Sequence, residues 1–262
     1  MTLRTISYGG GVQSTVMLVL AAQGRIDYSV ALFANVGDDS ENPATLAYVE
    51  QYAKPFAAAH GIALHELRRT WRDGRQTTLL ESVAGDNATI RIPVYMASGA
   101  PGRRACTDEW KRQVIARWQR AHGATADNPA VCGLGISWDE MQRMREDSNI
   151  AWQTLEYPLI DLRLTRQDCR NIIAAAGLPV PPKSSCFFCP FHRRAEWQTM
   201  KRTQPELFGR AVALEQRINE KRAAMGKDAV FLHTSCKPLE DAVADQMVLF
   251  EDDDCISGYC FV

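Results

Sequence analysis

The sequence predicts an α/β fold: a mostly parallel sheet with helices on both faces, followed by a helical C-terminal region. Three observations carry that expectation. Leu3–Ser7 has the pattern of a strand, runs into Gly9-Gly10-Gly11, and is followed by the apolar, helix-spaced stretch Val12–Ala22. Short apolar runs then alternate with helical stretches up to about residue 160. Beyond that point the strand signal stops, and prolines and helix-length segments take over.

The elements follow in order. Tyr28–Asn35 carries Val30, Leu32 and Phe33 in a run short enough for a buried strand. Pro43–His60 reads as a helix interrupted by Pro55. Ile62–Leu67 is a third strand. Arg69–Gly102 mixes a polar stretch, a weak helix, the run Ile90–Tyr95 and a glycine-containing loop. Asp108–His122 is a helix, and Pro129–Ile136 is a fourth strand that ends in Gly133 and Gly135. In such sheets ligands collect at the carboxyl ends of the strands. Thr165–Ala176 is a helix, with Thr165 as its N-cap and Asp168 at the acidic position of a capping box. Gly177 ends it, and Pro179, Pro181 and Pro182 prevent its return. A Cys186-x-x-Cys189 turn leads to two further helices, Arg194–Thr203 and Pro205–Met225. The tail Phe231–Val262 has little period and is acidic at Glu251–Asp254. The expected division is an α/β domain over 1–160 and a helical C-terminal region over 161–262 that carries the C-x-x-C and a cysteine-containing tail.

Composition narrows the class. The chain has 262 residues, 46% hydrophobic and 23% charged, a globular mixture that excludes disorder and fibrous repeats. Lys plus Arg number 30 against 31 Asp plus Glu, so no global electrostatic footprint supports a nucleic-acid acceptor, though a local basic patch stays open. No apolar run approaches the roughly 20 residues of a membrane span, and Met1–Tyr8 lacks a secretory signature. A cytoplasmic protein with no membrane partner is expected. In a reducing compartment the 8 cysteines read as metal or redox chemistry where they cluster.

Ser7-Tyr8-Gly9-Gly10-Gly11-Val12-Gln13-Ser14-Thr15 joins the first strand to the first helix. Glycines let backbone N–H groups surround phosphate oxygens without a Cβ in the way. The helix N-terminus adds unpaired donors and partial positive charge. The same pattern also serves as a plain tight turn between strand and helix. It is neither the dinucleotide G-x-G-x-x-G nor the G-x-x-x-x-G-K-S/T loop, because no Lys precedes Ser14.

This segment resembles the S-G-G-x-D-S/T loop of the PP-loop superfamily. That superfamily comprises ATP pyrophosphatases, tRNA and DNA sulfur-transfer enzymes and the phosphoadenylylsulfate (PAPS) reductases. Gly9 stands for the first Ser and Gln13 for the Asp. The resemblance implies a Rossmann-like (adenine nucleotide alpha-hydrolase-like) sheet that binds ATP, with or without magnesium, or another adenine nucleotide. Phe33-Ala34-Asn35-Val36-Gly37 resembles the family's F-x-D-T-G segment, which approaches the adenine through its backbone, with Asn35 and Val36 replacing the acid and the threonine. Gly135-Ile136-Ser137-Trp138-Asp139-Glu140-Met141-Gln142-Arg143 resembles the G-x-R-x-x-E-S-x-x-R segment near the nucleotide. Tyr157–Asp161 resembles the N-P-L-x-x-W segment. The implied nucleotide-binding residues are Ser7, Gly9, Gly10, Gly11, Gln13, Ser14, Thr15, Phe33, Ala34, Asn35 and Gly135. Arg143 would be a phosphate ligand, since a guanidinium forms a planar fork. Asp139 and Glu140 are either solvated or orient it.

Arg103-Arg104-Ala105-Cys106-Thr107-Asp108-Glu109-Trp110-Lys111 places a cysteine at a helix start among cations, a setting that favours thiolate. It resembles the C-C-x-x-R-K segment of iron–sulfur adenylylsulfate reductases, with Lys111 as a basic residue. Cys186-Phe187-Phe188-Cys189 presents two thiols to one metal and lies where those reductases carry their second cysteine pair. The resemblance implies a [4Fe–4S] cluster on Cys106, Cys186, Cys189 and Cys260, with Cys255 as the other candidate for the fourth place and zinc as the other metal. Three ligands and an open iron position are also chemically sensible. Lys111 and Arg143 would stabilise charge developing on phosphate.

The chain is thus similar to PAPS-reductase-like proteins. It lacks the E-C-G-L-H tail of the thioredoxin-dependent enzymes, which themselves lack the C-x-x-C. The function implied is ATP-dependent activation with sulfur transfer, or handling of an adenylylated sulfur compound, together with a sulfur- or electron-donor protein. The alternatives are a (P)APS reductase releasing sulfite and a catalytically silent nucleotide or redox sensor with a structural zinc. A homodimer is compatible with the sequence.

Overall fold

A computed structural model describes residues 2–85 and 89–244. Strand β1 (Arg4–Tyr8) leads through the glycine turn into α1 (Val12–Ala22), and β2 (Val30–Asn35) follows. Next come α2 (Pro43–Tyr48), α3 (Lys54–Ala59), β3 (Ala63–Arg68), α4 (Leu79–Ala84) and the short β4 (Tyr95–Met96). After these stand α5 (Gln113–Ala121), β5 (Ala130–Leu134), β6 (Gln153–Glu156) and α6 (Pro158–Asp161). The rest is α7 (Arg166–Ala175), α8 (Arg194–Thr203), α9 (Pro205–Ala224), β7 (Val230–Phe231) and α10 (Leu239–Ala242).

The expected helix with a break at Pro55 is one helical run whose middle turn, Val49–Ala53, is π-wound. Proline has no N–H to donate back, and the wider turn ahead of it absorbs the missing bond. A second π turn, Thr107–Arg112, opens the helical run that α5 completes. The capping box at α7 forms as its residue types require. Thr165 Oγ1 accepts from the Asp168 N–H at 3.2 Å, and the Thr165 N–H donates to Asp168 Oδ2 at 2.9 Å.

Five strands form an all-parallel sheet in the order β3-β2-β1-β5-β6. The architecture is Rossmann-like α/β. Its fifth strand, β6, has no counterpart among the four expected from the sequence. The chain builds outward from β1 in one direction and then crosses to β5 and β6 on the other side. The reversal lies between β1 and β5, and that is where such sheets open a crevice at their carboxyl ends.

Alternation along the strands sends side chains to two faces. On one face Val16, Met17 and Leu20 of α1 pack with Ile6, Phe33, and with Cys169 and Ile173 of α7. On the other, Leu32, Ala34 and Cys132 pack with Val114 and Ile115 of α5. A third apolar cluster gathers Val36, Leu79 and Trp110 with Phe187, Phe188, Trp197 and Phe208. The loops past β2 are thereby packed onto the C-terminal helices. Among the described residues no helix is long and apolar enough to cross a membrane. The tail cysteines Cys255 and Cys260 lie outside the described residues.

Candidate functional site

The glycine turn is shaped by three local constraints. Gly10 has φ of +76°, and a Cβ there would sit 2.7 Å from Thr45 Cγ2, so only glycine fits. Ser14 Oγ lies 3.2 Å from the Gly11 N–H and 3.1 Å from its carbonyl, closing the first turn of α1. Gly135, at the end of β5, seats directly on that turn: a Cβ would meet Gln13 C at 2.9 Å and Ser14 N at 3.0 Å. The two halves of the sheet therefore touch backbone to backbone at the switch point.

A cavity of about 160 Å³ opens there. Ser7, Gly9, Gly11, Gln13 and Ser14 line it from the β1 side and Gly135 from the β5 side. Six cations reach it, Lys111, Arg112, Arg143, Arg145, Arg166 and Lys183, against one lining carboxylate among the described residues, Glu140. Glu140 organises part of this rim. It accepts from Arg143 Nη1 at 2.5 Å and from Gln13 Nε2 at 3.0 Å, and it faces Arg166 Nη1 at 3.7 Å. Gln13 therefore ties the glycine turn to the arginine-bearing segment 138–143. Lys183 is held by Glu196 at 2.5 Å, and Arg112 by Asp108 at 2.9 Å. The electrostatic excess, the glycine turn and the N-terminus of the 11-residue α1 suit a phosphorylated or sulfated anion.

The thiol turn is fastened to the same loops. Cys189 N–H donates to the Cys186 carbonyl at 3.1 Å. Phe187 N–H donates to the Ser40 carbonyl and Asn42 N–H to the Ser185 carbonyl, each at 3.1 Å. Those two bonds bracket Glu41 and Cys186, which form an antiparallel bridge. Such a bracketed pair makes no bond of its own and places both side chains close together on one face. Ser184 Oγ donates to the Gly9 carbonyl, and Gly11 approaches Ser184 Cβ.

Burial pushes the Cys106 thiol up against the pull of Arg104 and Lys111, so the thiolate expected from the sequence is not favoured there. Burial also pushes Cys186 up, Glu41 adds to it, and Lys111 opposes it; Cys106 and Cys189 lie near enough to be felt. Cys106 and Cys186 both pack against the third apolar cluster, and Cys186 and Cys189 share one turn. Among the described residues no three His, Cys, Asp or Glu side chains stand in a metal-holding arrangement. The donor chemistry nevertheless fits a soft metal or cluster. Glu41 adds an orphan: it is 1% exposed and neither carboxylate oxygen is bonded.

Of the residues singled out from the sequence, Ser7, Gly9, Gly11, Gln13, Ser14, Lys111, Gly135 and Arg143 line the cavity. Gly10 stands behind the turn, against Thr45. Thr15 is fully buried and points at Tyr8 Oη, 3.2 Å away. Phe33 packs edge-on against Tyr8, and Ala34 faces α5. Asn35 ties its own loop together, donating to Asp38 and Glu66 and accepting from the Gly37 N–H. Sequence reasoning passed over Arg112, Arg145, Arg166, Lys183 and Glu41. Lys183, three residues ahead of the C-x-x-C, carried the clearest missed signal.

Models of known protein families give no match to the chain. No curated protein matches it either.

Proposed function

We propose that the chain is a PP-loop enzyme of PAPS-reductase-like type. It binds an adenine nucleotide at the β1–β5 switch point and carries out sulfur chemistry with the adjacent thiols. The observation that carries this reading is the convergence of the glycine turn and six cations on one cavity, with the Ser184–Cys189 segment fastened to the glycine turn itself. Gly9, Gly11 and Ser14 cradle phosphate, while Lys111 and Arg143 neutralise charge that develops there. Cys106, Cys186 and Cys189 would hold a [4Fe–4S] cluster with Cys260. When bound, the cluster supplies a place for sulfur to be received or passed on. The protein's own groups bind and orient the nucleotide beside it.

Calorimetry with ATP tests the nucleotide half. Lys111→Ala and Arg143→Ala should each weaken binding by roughly 1.5–3 kcal/mol, the worth of a charge-assisted contact. Unchanged affinity in both variants would sink the assignment. Release of pyrophosphate or sulfite then separates an activating sulfur transferase from a reductase, and absence of turnover would leave a sensor.

A further inference from the structure

Lys183 stands between two cavities. It lines the nucleotide cleft, and it also lines a second cavity bounded by Asn42, Pro182, His192, Thr199 and Gln204. Glu196, the carboxylate that holds Lys183, lines the second cavity and not the first. The ion pair therefore keeps the ammonium on the side away from the cleft.

The backbone at this point is anchored. Ser184, the next residue, donates its hydroxyl to the Gly9 carbonyl, and its Cβ lies 3.6 Å from where a Gly11 Cβ would stand. The stem of Lys183 thus starts beside the glycine turn. Its Nζ donates to Glu196 Oε2 at 2.5 Å and to the Phe191 carbonyl at 3.4 Å. A lysine is a compact charge on a flexible four-carbon stem, so it can change partners while its backbone stays in place. The two side chains of the pair are 29% and 31% exposed, and an ion pair open to water contributes little net stability. A polyphosphate in the cleft offers several charges and strong acceptors in exchange. Glu196 keeps other partners without the lysine. Its Oε2 also accepts from the Arg193 N–H at 2.8 Å, at the start of α8, and lies 3.5 Å from His192 Nδ1.

We infer that Lys183 is a phosphate ligand held in reserve: Glu196 withholds it from the empty cleft, and bound nucleotide takes it over. The inference rests on the nucleotide reading above and adds to it a residue that the resemblance does not assign. The exchange also couples the two cavities, because nucleotide binding uncovers the Glu196 carboxylate in the second one.

The sign of one substitution separates this role from a structural one. A glutamine at 196 can still accept from the Arg193 N–H, as either residue type does at that helix position, but it has no charge with which to hold Lys183. Glu196→Gln should therefore bind pyrophosphate and ATP about three- to tenfold more tightly than the wild type, although it loses an ion pair. Lys183→Ala should bind them about tenfold more weakly. In the Lys183→Ala background, Glu196→Gln should change affinity by less than about twofold. A general effect of removing one negative charge would persist in that background, so an equal gain with and without Lys183 would overturn the inference, as would no gain at all. A second measurement needs no variant. Zero-length carbodiimide coupling of the wild-type protein should join Lys183 to Glu196, and saturating pyrophosphate should suppress that link while leaving the link between Lys54 and Glu66, paired at 3.0 Å, as an internal control. A Lys183–Glu196 link that survives saturation would overturn the exchange and leave the nucleotide site standing. A wild-type protein that binds neither pyrophosphate nor ATP would overturn both.

Discussion

The seating of Gly135 on the first turn of α1 lends itself to a sharp test. In Gly135→Ala the new methyl carbon would lie 2.9 Å from Gln13 C and 3.0 Å from Gln13 O and Ser14 N. All three are backbone atoms of a turn already fixed by Ser14, so no side chain can swing away. Overpacking of this kind costs typically about 1–3 kcal/mol, and the rigid neighbours argue for roughly 2 kcal/mol or more. For a chain of this length that lowers the unfolding midpoint by about 4–8 °C. Gly11→Ala is the control: its methyl would meet only Ser184 Cβ, at the ordinary distance of 3.6 Å, and φ is −103°. Its midpoint should stay within about 2 °C of wild type. Thermal unfolding followed by circular dichroism reads both. A Gly135→Ala protein as stable as wild type, or a Gly11→Ala protein equally damaged, would refute the claim that the switch point is closed backbone to backbone.

Three further outcomes follow from the same residues. Burial works against the Glu196 carboxylate, but His192, Lys183 and the Arg193 N–H outweigh it and hold it at about 2, below its ordinary 4.5. A carboxyl depressed by folding stabilises above its unfolded value and loses that contribution as pH falls through the folded one; the unfolding free energy from urea titrations should therefore fall by at most about 3 kcal/mol between pH 5 and 2, and by less in Glu196→Gln. Replacing the unbonded, buried Glu41 by Leu should raise stability by about 1–3 kcal/mol in chemical denaturation; a loss instead would mean that its carboxylate holds a partner. Anaerobically purified protein should be brown with iron and sulfide, and Cys106→Ser or Cys186→Ser should lose the colour; a colourless protein holding one zinc, with Cys106 open to alkylation, would refute the cluster.

The strands that were legible in the sequence are those whose cores are apolar, such as Leu32 and Phe33 in β2. β6 escaped because Gln153–Glu156 alternates polar and apolar residues over only four positions, too short for periodicity to register. The π turns were illegible in principle, since nothing in Val49–Ala53 or Thr107–Arg112 distinguishes a wider turn from an ordinary one. Within the cleft, the glycine turn and Gly135 were readable because glycines mark close approach. Glu140 was read as one of two outcomes, and the structure shows it bonded to Arg143. Arg145 and Arg166 were not readable: an isolated arginine looks like solvated surface until the fold aims it. Arg166 is aimed by its place at the start of α7, where its N–H also donates to Asp139 at 3.0 Å.

The pairing of Glu41 with Cys186 carries a consequence for how the chain is made. Its two halves leave the ribosome 145 positions apart, between residues 41 and 186. At roughly 5–20 residues per second the second half arrives about 7–30 s after the first. Through that interval β1, α1 and β2 can assemble, but the Gly9 carbonyl has no Ser184 hydroxyl and the loop at 40–42 has no ladder. The newborn N-terminal half is thus a sheet with an unfinished rim, and the nucleotide cleft is completed only when the last third of the chain comes back to it.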